Sequence, residues 1–548
     1  MGVAIGLALG MLLSGCVGIP TSGGISTGPV IDDQLDPDRV FLPSDPRPGS
    51  EPAEILEDFM QAVRGPAGNY AVARKFLTSA LADTWKPDAG VLIRQGSAAT
   101  SVAGENALTY TVTSRANVDP DGRYSEQRDA STQTLRFAFV QEDGEWRISE
   151  AEDGIVLSAS SFSSTFTEQA LYFFDPSYRY LVPDVRWFPA RPSTPSRVVT
   201  ALLKGPASWL RGAVNTEFPA STTIGAMQPS ISSGTATVDL SDAATTANPE
   251  ARDRMRQQLA ATLGTSTVVM TVDGFPLVTP DAGGGAIKDP PVDGTLIIGT
   301  GEEFGYANGS IVTPIPRVSE LLLQSGAVAA TVGPDANSAV FLAADGAAYF
   351  VGQSANSAEL VDSRGGLVAP SLDPLGFAWS AQAASVASLT AFDGTPHLVD
   401  TTGLPPGARV VSLDVSRDGT RLLLYLSTDT GPRLVIAGIT RSDNVPIRLG
   451  EIVELPVSAS EPVDASWVDE RTVAVLARSG DTSPVTLFEI GGPSSSLGQA
   501  VGGLAIVGGN SGAQGIRLLS SDNEVWRPSG SGGWASTGLV ASFLATQQ

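Results

Sequence analysis

The residue of this chain best placed to do covalent chemistry is its only cysteine, Cys16. Residues 2–13, GVAIGLALGMLL, are apolar or glycine, and Ser14 and Gly15 follow them. An apolar run of that length closed by small residues is a secretory signal pattern, too short to cross a bilayer as a stable helix. A thiol at the cut point can accept a lipid, and Ser14-Gly15 leaves that nucleophile uncrowded. Other chemistry-bearing residues are scarce or badly spaced. The single histidine, His397, sits in Thr395-Pro396-His397-Leu398 and reads as a strand or surface residue beside a turn. One His without a second Cys cannot build a His/Cys zinc site, and any Ser-His-Asp triad would have to use it. Gly299-Thr300-Gly301-Glu302-Glu303-Phe304-Gly305 is one position out from a dinucleotide fingerprint. It sets carboxylates where phosphate would lie, so it reads as a loop. Asp119-Pro120-Asp121-Gly122 begins like a calcium loop but lacks the later ligands, and reads as a turn. Carboxylates are abundant, yet no spacing singles out a pair for glycoside hydrolysis. The expectation is a non-enzymatic protein with no catalytic set, no metal site and no cofactor.

Leu13-Ser14-Gly15-Cys16 resembles a bacterial lipobox, in which the thiol is diacylated and the chain is cut just before it. The only cysteine stands where that motif requires one. No Lys or Arg precedes Cys16, so the usual basic n-region is missing, and a start codon upstream of Met1 is the expected reason. The chain has 548 residues, 42% hydrophobic and 17% charged, with a formal net charge of −24. At roughly 100–200 residues per domain it should fold as several domains. Its acidity argues against nucleic acid, whose phosphates need a basic footprint. It also argues against adsorption on anionic headgroups, which leaves the acyl chains as the membrane link. With one cysteine there is no disulfide framework.

These elements set the expected organisation. Residues 1–16 are the lipoprotein signal peptide, and 17–50, rich in Gly, Pro, Ser and Asp, form a flexible tether. In 51–157, Pro52 opens a helix carrying Ile55, Leu56, Phe59 and Val63, and a second helical stretch holds Val72, Phe76 and Leu77. The period then becomes two: Leu108, Tyr110 and Val112, then Leu135, Phe137 and Phe139. The Asp143-Gly144 turn leads into Trp146 and Ile148. Helices followed by an antiparallel sheet resemble the cone-shaped α+β fold of the nuclear-transport-factor-2 superfamily (NTF2-like).

Residues 165–280 read as α, β, α, β. The pieces are the helix at Pro195–Leu202 stopped by Gly205-Pro206, the strand Thr235–Leu240, the helix after Asn248-Pro249, and Val268–Val272 closed by Asp273-Gly274. ALLKGP, GTATVDLS and VVMTVDGFPL in this region resemble the GerM-type domain. Trp187, Phe188, Tyr178 and Tyr180 ahead of the first helix are expected as core. Residues 281–299 are expected as a linker. From 300 to 548 short apolar runs recur behind polar turns at roughly 40–50-residue spacing, the span of one propeller blade. Gly333-Pro334-Asp335, Ser371-Leu372-Asp373-Pro374, Ser416-Arg417-Asp418-Gly419 and Asp464-Ala465-Ser466-Trp467 are the expected turns. The expectation is a β-propeller of five or six blades, with Trp526 and Trp534 exposed near its face.

The whole order, lipobox, tether, cone-like domain, GerM-type domain and propeller, resembles the actinobacterial LpqB lipoprotein family. That resemblance implies a lipid-anchored protein on the extracytoplasmic face of the cell membrane. It implies a partner, the extracytoplasmic domain of the sensor histidine kinase MtrB. The protein would modulate the MtrA–MtrB two-component system, with effects on cell division and envelope homeostasis. A cell-wall glycan-binding lipoprotein is the alternative.

Overall fold

The computed structural model describes residues 43–280, 283–509, 511–530 and 532–548. From Pro43 onward they form one compact unit.

The N-terminal part is helices packed on one curved sheet. Helix Pro52–Ala62 starts with Pro52 in its first turn, and the Glu54 carboxylate accepts the Glu51 N–H at 3.0 Å. It buries Ile55, Leu56 and Phe59 against the sheet. The second helix ends at Arg74. Phe76 and Leu77, expected on it, lie just beyond. Phe76 O accepts Ile148 N–H and Thr78 N–H donates to Ile148 O, both at 2.9 Å, which sets Leu77 beside Ile148. Five strands follow in the order 145–150, 124–142, 107–118, 91–104 and 155–158. All pairings are antiparallel except the last, where Val91 lies beside Ile155 in parallel.

The GerM-type region adds a long hairpin, 166–174 with 180–189, ahead of the expected α, β, α, β series. The series itself is helix Thr194–Leu203, strand Thr235–Leu240, helix Pro249–Leu263 and strand Thr267–Val272. Asn248 caps the second helix by accepting Ala251 N–H at 2.8 Å, and Gly264 ends it in the left-handed region. The two strands pair in parallel, as a connecting helix requires. The stretch expected as linker is partly ordered into sheets. Ile287–Lys288 pairs in parallel with Tyr180 and Leu181, and Ile297–Gly299 is already a propeller strand.

The propeller has six blades. Blade one combines 297–299, 304–308 and 311–314 with strand 543–547 on its inside. Blades two to six run 327–362, 371–398, 409–455, 461–501 and 503–540, each of four antiparallel strands. Inner strands 543–547 and 327–332 lie side by side in parallel, so the ring closes through residues far apart in sequence. In blades two to six the first strand is the inner one, and in blades two, four and five its burial is greatest toward its C-terminal end.

Two of the expected turns begin inside inner strands: in blade three Ser371–Leu372 is already strand and the turn follows it. In blade five Asp464–Trp467, expected as a turn, is the inner strand itself, and the turn is Val468–Arg471. The recurring Asp of these turns has a local cause. Asp373, Asp418 and Asp469 each accept the main-chain N–H two residues later, at 3.0, 2.9 and 2.8 Å. Trp526 and Trp534 are half-buried against the apolar core between blades five and six, not exposed in turns.

The parts are fused. Trp209, Leu210 and Ala213 of the GerM-type region share one apolar core with Leu434, Ile436 and Leu455 of blade four. Gly438 makes the close approach possible: a Cβ there would sit 2.6 Å from Trp209 O and 2.9 Å from Ala213 Cβ.

Candidate functional site: the cone pocket and the junction beside it

The concave face of the N-terminal sheet holds a cavity of about 520 Å³. Its floor is apolar: Phe59, Val63, Val91 and Phe137 are buried there, and Met60 and Leu135 complete it. Its polar wall comes from alternate positions of the long strands, Asn117, Gln127 and Gln133, and from the 152–154 segment. Asn117 accepts from Ser125 and Gln127 from Ser131 through their amide oxygens, at 2.9 and 3.1 Å, leaving their N–H groups to the cavity. Gln133 and Glu152 make no side-chain hydrogen bond to the described residues. Asp119 accepts Asp121 and Arg123 N–H, both at 2.9 Å, and Asp153 accepts Lys86 N–H at 2.8 Å. No Lys or Arg lines the cavity.

The Asp119–Gly122 turn separates this cavity from a second, of about 440 Å³, between the N-terminal and GerM-type regions. That cleft has the opposite character. Ser193, Ser196, Arg197, Thr200 and Lys204 of one helix face it, with Gln228 opposite. Arg197 and Arg191 both pair with Asp88 across the seam, at 2.6 and 2.7 Å, and Lys204 approaches Asp121 at 3.6 Å.

Trp187 lies where all three regions meet. Its ring packs on Phe162 at 4.9 Å and Tyr124 at 6.1 Å, its N–H donates to Gly122 O at 2.7 Å, and its indole donates to Gly491 O of blade five at 2.7 Å. Gly122 has φ +82°, and a Cβ on it would stand 2.8 Å from Trp187 O, so only glycine admits this contact. Nearby, Tyr172 OH donates to Glu470 at 2.6 Å, and Arg471 pairs with Glu168 across the same seam. Glu489, beside that pair, is pushed up to about 7 by burial and by the Glu168 charge.

Two further carboxylates with raised pKa values, Asp414 and Asp464, lie on the propeller's inner strands. Asp414 is buried. It accepts from Ser371 at 3.1 Å, Gln548 at 3.3 Å, Ser466 at 3.2 Å and Trp467 N–H at 3.1 Å. Those donors come from blades three, one and five, so one carboxylate ties three blades to its own. Burial raises it to about 6. Asp464 is half-buried as a residue, but its carboxyl is enclosed by Ala465 and Ile506 N–H at 2.8 and 2.9 Å. Burial raises it to about 7, the Asp414 charge adding to the effect. Both groups are engaged in blade-to-blade hydrogen bonds and neither lines a cavity described above. Among the described residues no group of three or more His, Cys, Asp or Glu is arranged to hold a metal ion.

Three family models match the chain in this order. The model described as the N-terminal domain of lipoprotein LpqB covers residues 45–163. That for sporulation and spore germination covers 170–278, and the LpqB beta-propeller domain covers 305–541. Curated LpqB lipoproteins match along the same line. The protein of Cutibacterium acnes is 27% identical over 90% of this chain and 89% of its own length. That of Mycobacterium bovis is 27% identical over 100% of this chain and 98% of its own. The chain belongs to the LpqB lipoprotein family. The Thermobifida fusca LpqB lipoprotein is 30% identical, over 56% of this chain and half of its own length.

For this LpqB-family chain, the lipidation residues expected from sequence, Leu13, Ser14, Gly15 and Cys16, lie outside the described residues, as does most of the tether. No helix among the described residues is long and apolar enough to cross a membrane. His397 contacts Asp393 at 2.9 Å and Thr395 at 3.1 Å within one hairpin, and its ring meets Phe377, just before the neighbouring strand, edge-on. Gly299 and Gly305 are spaced by packing: a Cβ on the first would strike the Phe543 ring and on the second the Thr313 carbonyl. No motif in the sequence announces the amide wall of the cone pocket. The one signal for it was that residues 124–134 are almost wholly polar although they form a strand. Tyr180 and Phe188 are buried as expected.

Proposed function

We propose that this lipoprotein, anchored through Cys16 on the extracytoplasmic face of the membrane, is an accessory of the MtrA–MtrB two-component system. In this reading it binds the extracytoplasmic domain of the MtrB sensor kinase, and so acts on cell division and envelope homeostasis without catalysing a reaction. Family membership motivates the reading. The observation that supports it is the fusion of three regions, through Trp187 and the Trp209 seam, into one compact unit with open clefts. Such a body held by a lipid at the membrane raises the local concentration of its surface for a membrane-bound partner, so weak contacts suffice.

The test is titration calorimetry of residues 17–548 against the extracytoplasmic domain of the kinase. Saturable binding is expected. Charge reversals in separate surface regions, rather than isolated domains, then locate the contact. The absence of heat at high micromolar concentration, together with retention on cell-wall material, overturns the reading in favour of a glycan-binding lipoprotein. The row of hydroxyl and cationic donors along 193–204 is the feature that favours that alternative.

A further inference from the structure

The cone pocket and the cleft beside it differ in charge although one turn separates them. The cleft carries Arg197 and Lys204; the pocket carries carboxylates and amides and no cation. The pocket's volume, about 520 Å³, lies within the usual range for small-molecule sites. Its floor of Phe59, Val63, Val91 and Phe137 would exclude water around an apolar body. What remains is the head that its wall accepts.

Two of its three carboxylates are already committed to main-chain N–H groups, Asp119 within its turn and Asp153 to Lys86. Glu152 is not. It is exposed and its carboxylate has no partner among the described residues; Gln133, in the same lining, is equally uncommitted through its side chain. A carboxylate or phosphate placed here would find only the neutral N–H donors of Asn117 and Gln127 against three carboxylates in the same lining, with no counter-ion, a balance that worsens as water is excluded. An ammonium would meet the Glu152 carboxylate in a charge-assisted hydrogen bond, with the Gln133 carbonyl available in the same lining as a neutral acceptor. We propose that the cone pocket binds a small cationic amphiphile, its apolar body on the Phe59–Phe137 floor and its ammonium head at Glu152 and Gln133. This site is independent of any kinase contact.

The test compares three probes with the same eight-carbon chain on residues 17–548: octylammonium chloride, octyl β-glucoside and sodium octanoate. They are titrated at equal ionic strength, below their aggregation limits. Octylammonium is expected to bind once per chain, at least tenfold tighter than octanoate, with the glucoside between them. Glu152→Lys, at an exposed position, should leave the melting temperature unchanged and weaken octylammonium at least tenfold. Met60→Trp, which fills the floor, should abolish saturable binding of all three. If Met60→Trp does not fold, Glu152→Lys and Gln133→Glu still decide, since the second should tighten octylammonium. Equal binding of octanoate, or octylammonium binding indifferent to Glu152→Lys, overturns the proposal and marks the interaction as general attraction to an acidic surface.

Discussion

The indole of Trp187 donates to the carbonyl of Gly491 at 2.7 Å, while its main chain is bonded to the N-terminal region through Gly122. One residue of the GerM-type region therefore touches both neighbours. A side chain expected only as core turns out to be a three-way joint, which bears on how the parts can be separated.

Trp187→Phe keeps most of the ring packing on Phe162 and Tyr124 but leaves the Gly491 carbonyl without its donor. Loss of about 1 kcal/mol is expected, the worth of one hydrogen bond. Trp187→Ala should cost roughly 3–5 kcal/mol, as for other large-to-small changes at packed sites. Urea denaturation with limited proteolysis checks both. Cleavage between the N-terminal region and the propeller should accelerate in the alanine variant.

Gly438→Val drives a side chain into Trp209 O and Ala213 Cβ. The seam between blade four and the GerM-type region should open, with a loss of stability of at least about 1–3 kcal/mol from overpacking. Two transitions in a calorimetric scan, where the parent shows one, would report the uncoupling. A single unchanged transition would mean that the shared core is not what holds the regions together.

The inner-strand carboxylates set a pH dependence. An unfolded Asp titrates near ~3.9, but Asp464 and Asp414 are raised to about 7 and about 6 by burial in the folded ring. Between those values the native state holds protons that the unfolded chain has released. These two groups therefore favour folding most at pH 4 and lose that contribution as pH rises through 6 and 7. Asp464→Asn should flatten the fall by up to about 1.4 kcal/mol per pH unit over that window. Melting curves from pH 4 to 8 on both proteins test it, and an unchanged slope would refute it.

Arg441 and Asp373 form an ion pair at 2.5 Å that is sealed between blades four and three, both side chains being almost fully buried. Arg441→Met leaves the Asp373 charge without its partner. Because an uncompensated buried charge is costly, roughly 3–5 kcal/mol should be lost. Chemical denaturation measures this directly. A loss below about 1 kcal/mol would mean that the N–H donors of Leu375, Phe377 and Trp379 suffice for Asp373.

Much of this architecture was legible because local chemistry and global fold agree. Pro52 and Asn248 mark helix starts, and the Asp turns recur because each blade must reverse its chain at the same height. What the sequence hid depends on contacts distant along the chain. Asp464 looks like a turn residue, yet it serves an inner strand because Ile506 and Ala465 supply its hydrogen bonds. Ile287–Lys288 reads as linker, since two residues carry no periodicity, and it pairs only because the 180–189 strand offers an edge. The cone pocket is made of amides scattered over 117, 127 and 133, which no motif joins.

The inner strand of blade one comes from the far end of the propeller, and Gln547 reaches Thr295 across 252 positions of chain. Blade one cannot be completed by neighbours in sequence. Its partners must wait, unpaired, until that strand emerges and finds them, so the slowest step in acquiring the fold should be closing this loop. Until then the 297–299 edge is an open template for the wrong strand. Errors of synthesis in the final residues, or bulky fusions placed there, should therefore show first as lost yield and aggregation, and only secondarily as lost binding.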